Sequence, residues 1–251
     1  MKRALVRILY GEPNNPKHDF NNSRSQVDKD ILNCLANEKS SEFVAYCFGK
    51  YNYDFLKQAG CKKIVLASDN PWIDGEVPFS FMNKIHGFKY AMEDYDEVVF
   101  LDWDTSQVRG LPTDFWEVLG KKEVVQAPLV MYPTKKAILP WRRFRPDKAN
   151  RIVSNSSFLY MRDKSIPCKL LKMKEDLDLN KNIYTYGKLK DYNINVTKQW
   201  NDEVYLSRYM DDICGGWDGV WKYFYLFEPK WSKARWSCFK NTKSEICFNH
   251  G

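Results

Sequence analysis

A chain of 251 residues that is 44% hydrophobic, 16% aromatic and 28% charged has the composition of a folded domain with a large core, which excludes a disordered or fibrous chain. Lys plus Arg number 39 against 32 for Asp plus Glu, and the net charge of +7 favours anionic partners such as phosphates, nucleic acid or acidic lipid headgroups. No apolar run approaches the roughly 20 residues that span a bilayer, and MKRALVRILYGE at the N-terminus is interrupted by Arg7, so neither a signal peptide nor a membrane segment is expected.

Residues 3–10 (RALVRILY) read as a strand. A helix over 23–37 (SRSQVDKDILNCLAN) opens on a Ser cap, and 42–48 (EFVAYCF) reads as a second strand. A short helix over 53–59 stops at Gly60, and KKIVLAS (62–68) is a third strand ended by the turn signal of Asp69, Asn70 and Pro71. Residues 79–94 carry Phe81, Ile85, Phe88 and Met92 at helical spacing, and EVVFL (97–101) is an apolar run expected to be buried on both faces. Strands alternating with helices imply βαβ units and a mostly parallel sheet, with ligands bound beyond the carboxyl ends of its strands. In the second half VVQAPLVMY (124–132) and SSFLYMR (156–162) read as strands around a basic, Pro-punctuated stretch. A helix over 165–180 enters through Pro167, another covers 201–213, and YFYLFEP (223–229) is a late strand. No linker divides the chain, so one α/β domain is expected, its C-terminal part folded over the open end of the sheet.

Seven cysteines, an odd number with no C-x-x-C, point to a reducing compartment, and a cytoplasmic location is expected. The sequons at Asn21, Asn155 and Asn195 matter only on a secretory route. No repeat or low-complexity tract is present.

Asp102 and Asp104 follow the run VVFL directly, in LDWDT. Two residues apart on an extended strand they share a face, with Cα atoms about 6.6 Å apart, so their carboxylates can converge on one cation. Mg²⁺ and Mn²⁺ take oxygen ligands and leave positions for phosphates, which suits a diphosphate-binding metal site. Acids after a strand also serve as plain caps of the next turn, and a bare D-x-D does not separate the two readings.

The stretch KIHGFKYAMEDYDEVVFLDWDT resembles the segment through the D-x-D motif of GT-A-type glycosyltransferases. Later landmarks occur in the same order: SNSSFLYMR (154–162), QWNDEVYLS (199–207) and FNHG (248–251). The resemblance spans nearly the whole chain and is nearest in pattern to the retaining, family-8-like group. It implies a GT-A-like, Rossmann-related single domain over 1–251, with a nucleotide-binding half at 1–105 and an acceptor-side half at 106–251. It also implies a hexosyl- or pentosyltransferase that moves a sugar from a nucleoside-diphosphate sugar, UDP favoured over GDP, to a glycan, protein or lipid acceptor.

Carried over residue by residue, the resemblance makes Asp102, Asp104 and His250 ligands of Mn²⁺ or Mg²⁺. Lys84 corresponds to a helix residue that meets the donor's phosphate or sugar, and Tyr10 to one at the nucleotide base. Trp103, within the donor-binding motif, is expected to point into the core. Asn155 contacts the donor sugar or acceptor in this reading, or caps a strand. Asp202 and Glu203 are the catalytic candidates: one deprotonates the acceptor hydroxyl in an inverting enzyme, or acids orient and stabilise an oxocarbenium-like transition state in a retaining one. A helix start also favours acids electrostatically.

Lys135, Lys136, Arg142, Arg143, Arg145, Lys148 and Arg151 crowd one segment, 135–151, with Trp141 and Phe144 interleaved. Such a segment suits an acceptor-side wall, an anionic surface or nucleic acid. A nucleotidyltransferase using the same acids on a similar sheet and a basic nucleic-acid-binding protein are the alternatives. Against the first, GEPNNP (11–16) carries one Gly and two prolines where a Gly-rich phosphate loop is expected; against the second, no zinc-finger, P-loop or RNP-like pattern accompanies the basic residues.

Overall fold

The computed structural model describes residues 1–14, 23–73, 82–121, 124–127, 130–131, 152–153, 158–179, 224–226, 232–233 and 248–250. In chain order the first half contains β1 (Arg3–Leu9), α1 (Arg24–Asn37), β2 (Phe43–Phe48), α2 (Lys50–Gln58), β3 (Ile64–Ser68), α3 (Met82–Asp94), β4 (Glu97–Leu101), β5 (Thr105–Gln107) and α4 (Phe115–Leu119). There follow β6 (Val124–Ala127), β7 (Val130–Met131), β8 (Ile152–Val153), β9 (Phe158–Met161), α5 (Ser165–Leu179), β10 (Phe224–Leu226), β11 (Ser232–Lys233) and β12 (Phe248–His250).

Most boundaries lie within two residues of the sequence reading, because cap and breaker residues set them. The Ser23 hydroxyl accepts the Gln26 N–H at 3.3 Å and opens α1. Pro167 sits in the first turn of α5, where a missing N–H costs no helical bond, and Asp163 caps that turn by accepting the Ser165 N–H at 2.8 Å. The α2 helix starts three residues before the predicted 53, since Gly49, at φ 83, turns the chain into the helix with no side-chain cap to signal it. The predicted strand 124–132 is two strands in different sheets, β6 and β7, on either side of Pro128, a residue type with no N–H for a ladder. The predicted helix 201–213 lies outside the described residues.

Seven strands form the main sheet in the order β3-β2-β1-β4-β9-β6-β10, parallel except for β9, which runs antiparallel to both β4 and β6. A three-stranded sheet (β11-β12-β5) and the pair β7-β8 complete the pairing. The chain walks outward from β1 to β2 and β3, then returns to place β4 on the other side of β1. The carboxyl ends of β1 and β4 therefore flank a topological switch point, where open α/β sheets bind ligands.

Period-two alternation sorts the strands onto two faces. Ala4, Val6 and Ile8 of β1, with Val44, Tyr46, Val98 and Phe100, pack under α3 and α5. At Gly87 of α3 an added Cβ would lie 2.5 Å from Cγ2 of Ile8, so only glycine lets helix and strand approach this closely. On the other face Leu9, Ala45 and Cys47 pack under α1 and α2, while Leu5, Val99 and Leu101 pack under α4 together with Phe248. Arg7 belongs to this second face, between Leu5 and Leu9. Among the described residues no helix is long and apolar enough to cross a membrane.

Candidate active site

The central strand β4 is buried along its whole length and ends at Leu101. Asp102 then leaves the ladder, and the Thr105 N–H donates to the Asp102 carbonyl at 3.0 Å to close a turn. This corrects the extended-strand expectation: the acids lie on a turn between β4 and β5, because β5 must pair with β12 in the smaller sheet. Both Asp102 and Asp104 are half-buried. The Lys84 ammonium, from α3, lies 2.8 Å from Oδ1 of Asp102 and 5.5 Å from the centroid of the Phe100 ring. The residue anticipated at the donor's phosphate or sugar thus meets one of the two acids directly.

Beneath the turn lies Arg7, which is 0% exposed. One terminal nitrogen donates to the Asp102 carbonyl and the other to the Thr105 carbonyl at 2.7 Å. Cys34 of α1 donates from Sγ to the Trp103 carbonyl at 2.7 Å. Burial pushes the Cys34 thiol upward, so it stays protonated and able to donate at neutral pH. Trp103 is core, 8% exposed: its indole N–H donates to the Ile8 carbonyl at 3.0 Å, and its ring stands edge-on to Phe43.

Tyr10 is buried at the carboxyl end of β1, with its ring edge-on to Trp72 at 6.1 Å. The Gly11 carbonyl that follows accepts from Arg24 at 3.2 Å and from the Asn52 amide at 2.9 Å. Arg24 also bonds Oδ1 of Asn52 and Oδ1 of Asp28, both at 2.7 Å, so a buried polar network anchors this loop. Arg7, Cys34, Arg24 and Asn52 escaped the sequence reading, yet two carried a signal. Arg7 is a charge inside the otherwise apolar run ALVRIL of β1, and Arg24 is a cation in a helix's first turn, where the macrodipole disfavours it.

The chain's end returns to this neighbourhood. Phe248 is fully buried between Phe115 and Phe158, and β12 pairs antiparallel with β5 so that His250 lies across from Thr105, the neighbour of Asp104. The backbone thus brings position 250 to the acid turn. Asn155, Asp202, Glu203 and the basic segment 135–151 lie outside the described residues.

The donor chemistry of the turn is two carboxylates, the oxygen ligands that Mg²⁺ and Mn²⁺ take while leaving positions for a phosphate. Among the described residues no group of three His, Cys, Asp or Glu side chains converges as a closed metal cage. Two carboxylates are the donor type of an open divalent site, which leaves positions for other ligands. Arg7 and Lys84 offset the charges of Asp102 and Asp104, so a divalent ion bound alone leaves excess positive charge in a half-buried site. That excess is what a diphosphate would neutralise.

No protein-family model and no curated protein sequence matches the chain. Solved structures do. Mouse xyloside xylosyltransferase 1, in its apo form, matches over 99% of this chain and 97% of its own, with 9% identity and a TM-score of 0.57. The galactosyltransferase LgtC, solved in complex with donor and acceptor sugar analogs, matches over 98% of this chain and 86% of its own, with 12% identity and a TM-score of 0.52. At such identities the likeness is one of architecture, and this chain therefore has the GT-A glycosyltransferase fold.

Proposed function

We propose that the protein transfers a sugar from a nucleoside-diphosphate sugar to an acceptor hydroxyl, with a divalent cation held by Asp102 and Asp104. The observation that carries this reading is the pair of half-buried carboxylates at the β1/β4 switch point, in a chain that follows two glycosyltransferase structures over almost its full length. When bound, Mn²⁺ or Mg²⁺ offsets the repulsion between diphosphate and carboxylates and acts as Lewis acid on the departing diphosphate.

The chain's own residues do the rest. Lys84 orients the Asp102 carboxylate and adds positive charge where the diphosphate lies. Tyr10, backed by Trp72, lines the nucleotide side at the end of β1. The pairing of His250 with Thr105 supports His250 as a third ligand. Asp202 and Glu203 are assigned the chemistry at the anomeric carbon or acceptor hydroxyl, Asn155 the donor sugar or acceptor, and 135–151 the acceptor-side wall. UDP is the favoured nucleotide, and the acceptor is a glycan, protein or lipid.

A panel of nucleotide sugars tests this, with slow donor hydrolysis as the readout and Mn²⁺ present or absent. Hydrolysis of one donor, stimulated by Mn²⁺, is the expected result, with UDP or GDP binding by calorimetry lost in EDTA. Equal nucleotide affinity in excess EDTA overturns the metal dependence, and failure to turn over or bind any nucleotide sugar overturns the transferase.

A further inference from the structure

On the face of β1 that holds Leu5 and Leu9, Arg7 occupies the middle position and is buried completely. A guanidinium is costly to bury unless its donors are used; here both terminal nitrogens are spent on backbone carbonyls of one turn, those of Asp102 and Thr105, while Nε has no hydrogen-bond partner among the described residues. Of the two carbonyls between them, that of Trp103 takes the Cys34 S–H at 2.7 Å. The Trp103 indole ties the turn to β1 through the Ile8 carbonyl at 3.0 Å. Three carbonyls in four residues thus turn inward onto donors from β1 and α1, while the Lys84 ammonium meets Asp102 from α3.

A planar fork that grips two carbonyls three residues apart fixes the turn's orientation in a way that one flexible donor does not. We propose that Arg7 and Cys34 are positioning residues of the site. By holding the Asp102–Thr105 backbone from below, they fix the direction in which the Asp102 and Asp104 carboxylates leave it, and hence the affinity for a divalent ion. This inference rests on the reading of the two acids as cation ligands. Neither Arg7 nor Cys34 touches the ion or the substrate; each acts through the backbone, as outer-shell partners act on metal ligands.

Arg7 also brings a positive charge, so its removal changes both geometry and field. Arg7→Lys separates the two, because it keeps the charge and loses the fork. Cys34→Ala removes the third carbonyl's donor with no change of charge. Arg3→Lys, at the far end of β1 where Arg3 pairs with Glu97 at 2.6 Å, serves as the control.

The probe is Mn²⁺ alone, titrated into the full chain with no nucleotide and followed by electron paramagnetic resonance, with a thermal melt of each variant. Arg7→Lys should weaken Mn²⁺ binding about 10-fold or more and Cys34→Ala about 3-fold, within or below the span seen for outer-shell changes, while both remain folded at the assay temperature. Arg3→Lys should bind as the native chain does. If folded Arg7→Lys and Cys34→Ala both bind Mn²⁺ within twofold of native, the positioning role is overturned and the metal site stands. If Arg7→Lys does not fold, Cys34→Ala alone decides on the same criterion. No Mn²⁺ binding by the native chain overturns the acid pair as cation ligands, and the positioning role with it.

Discussion

Arg7 on β1 and Arg24 at the start of α1 are 0% and 2% exposed, yet their charges are handled differently. Arg24 is neutralised by a carboxylate, Oδ1 of Asp28 at 2.7 Å, and spends its remaining donors on Asn52 and Gly11. Arg7 forms no ion pair among the described residues, and its two terminal nitrogens go to two carbonyls of the acid turn. A neutralised guanidinium cross-links three segments and leaves little field behind. One that meets only carbonyls keeps its charge beneath the groups that need it. Two residues of the same type and burial thus differ in purpose, and the difference lies in what each one faces.

The sharpest break of this comparison is to remove what Arg7 serves. Asp104→Asn keeps the turn's shape and deletes a carboxylate that the proposed function assigns to the cation, so donor hydrolysis should fall at least as far as the roughly 10–100-fold typical of outer-shell changes, with the melting temperature near native. Undiminished turnover would assign the acid to the scaffold.

The Arg24 side should respond in stability instead. Arg24→Met leaves the buried Oδ1 of Asn52 without its donor and unpairs the half-buried Asp28 carboxylate, while the Gly11 carbonyl keeps the Asn52 amide, and it should cost about 2 kcal/mol in denaturant unfolding. A loss of Mn²⁺ affinity in the folded variant as large as that of Arg7→Lys would erase the distinction between the two arginines.

Alkaline pH acts on the layer that contains Arg7's neighbours. Burial pushes the Cys34 thiol upward and the Cys47 thiol to about 12, from an ordinary value of 9.0. Above pH 9.0 the unfolded thiols lose their protons while the folded ones keep theirs. The native state then holds more protons, so stability is full below that pH and falls above it, by about 1.4 kcal/mol per pH unit from Cys47 between the two values, with Cys34 adding in the same direction. Melts from pH 8 to 11 should show the decline, and Cys47→Ala should shallow it. An unchanged slope in that variant would place the cause elsewhere.

The smallest effect concerns Lys84. Lys84→Met frees Asp102 of a competing cation 2.8 Å away, so Mn²⁺ alone should bind about fivefold more tightly, a gain of roughly 1 kcal/mol, while UDP with Mn²⁺ binds more weakly. Changes of the same sign for both ligands would refute a role for Lys84 at the diphosphate.

Much of the first half was legible locally. Ser23, Gly60 and the Asp69–Pro71 turn set boundaries through backbone chemistry, and VVFL reads as a buried strand because both of its faces are apolar. The acid pair was legible as a motif, but its shape was not. An extended D-x-D and a turned one have the same spelling, and β12, more than a hundred residues away in sequence, pairs with β5 and thereby bends the chain after Asp102. The β5 and β12 strands are three residues each, too short to show a period.

Hydrophobic periodicity and turn residues, which act through neighbours in the chain, determined the alternation of strands and helices and the position of two acids after an apolar strand. The tertiary structure decided what lies under those acids. Arg7 looked like a break in an apolar strand, and Cys34 like one apolar residue of a helix face. Only the packing of α1 and the β4–β5 turn over β1 shows them meeting three backbone carbonyls of the turn. Hydrogen-bond partners nearly seventy to a hundred residues apart have no local signature, because what selects them is the geometry of a closed core and not the preference of any segment.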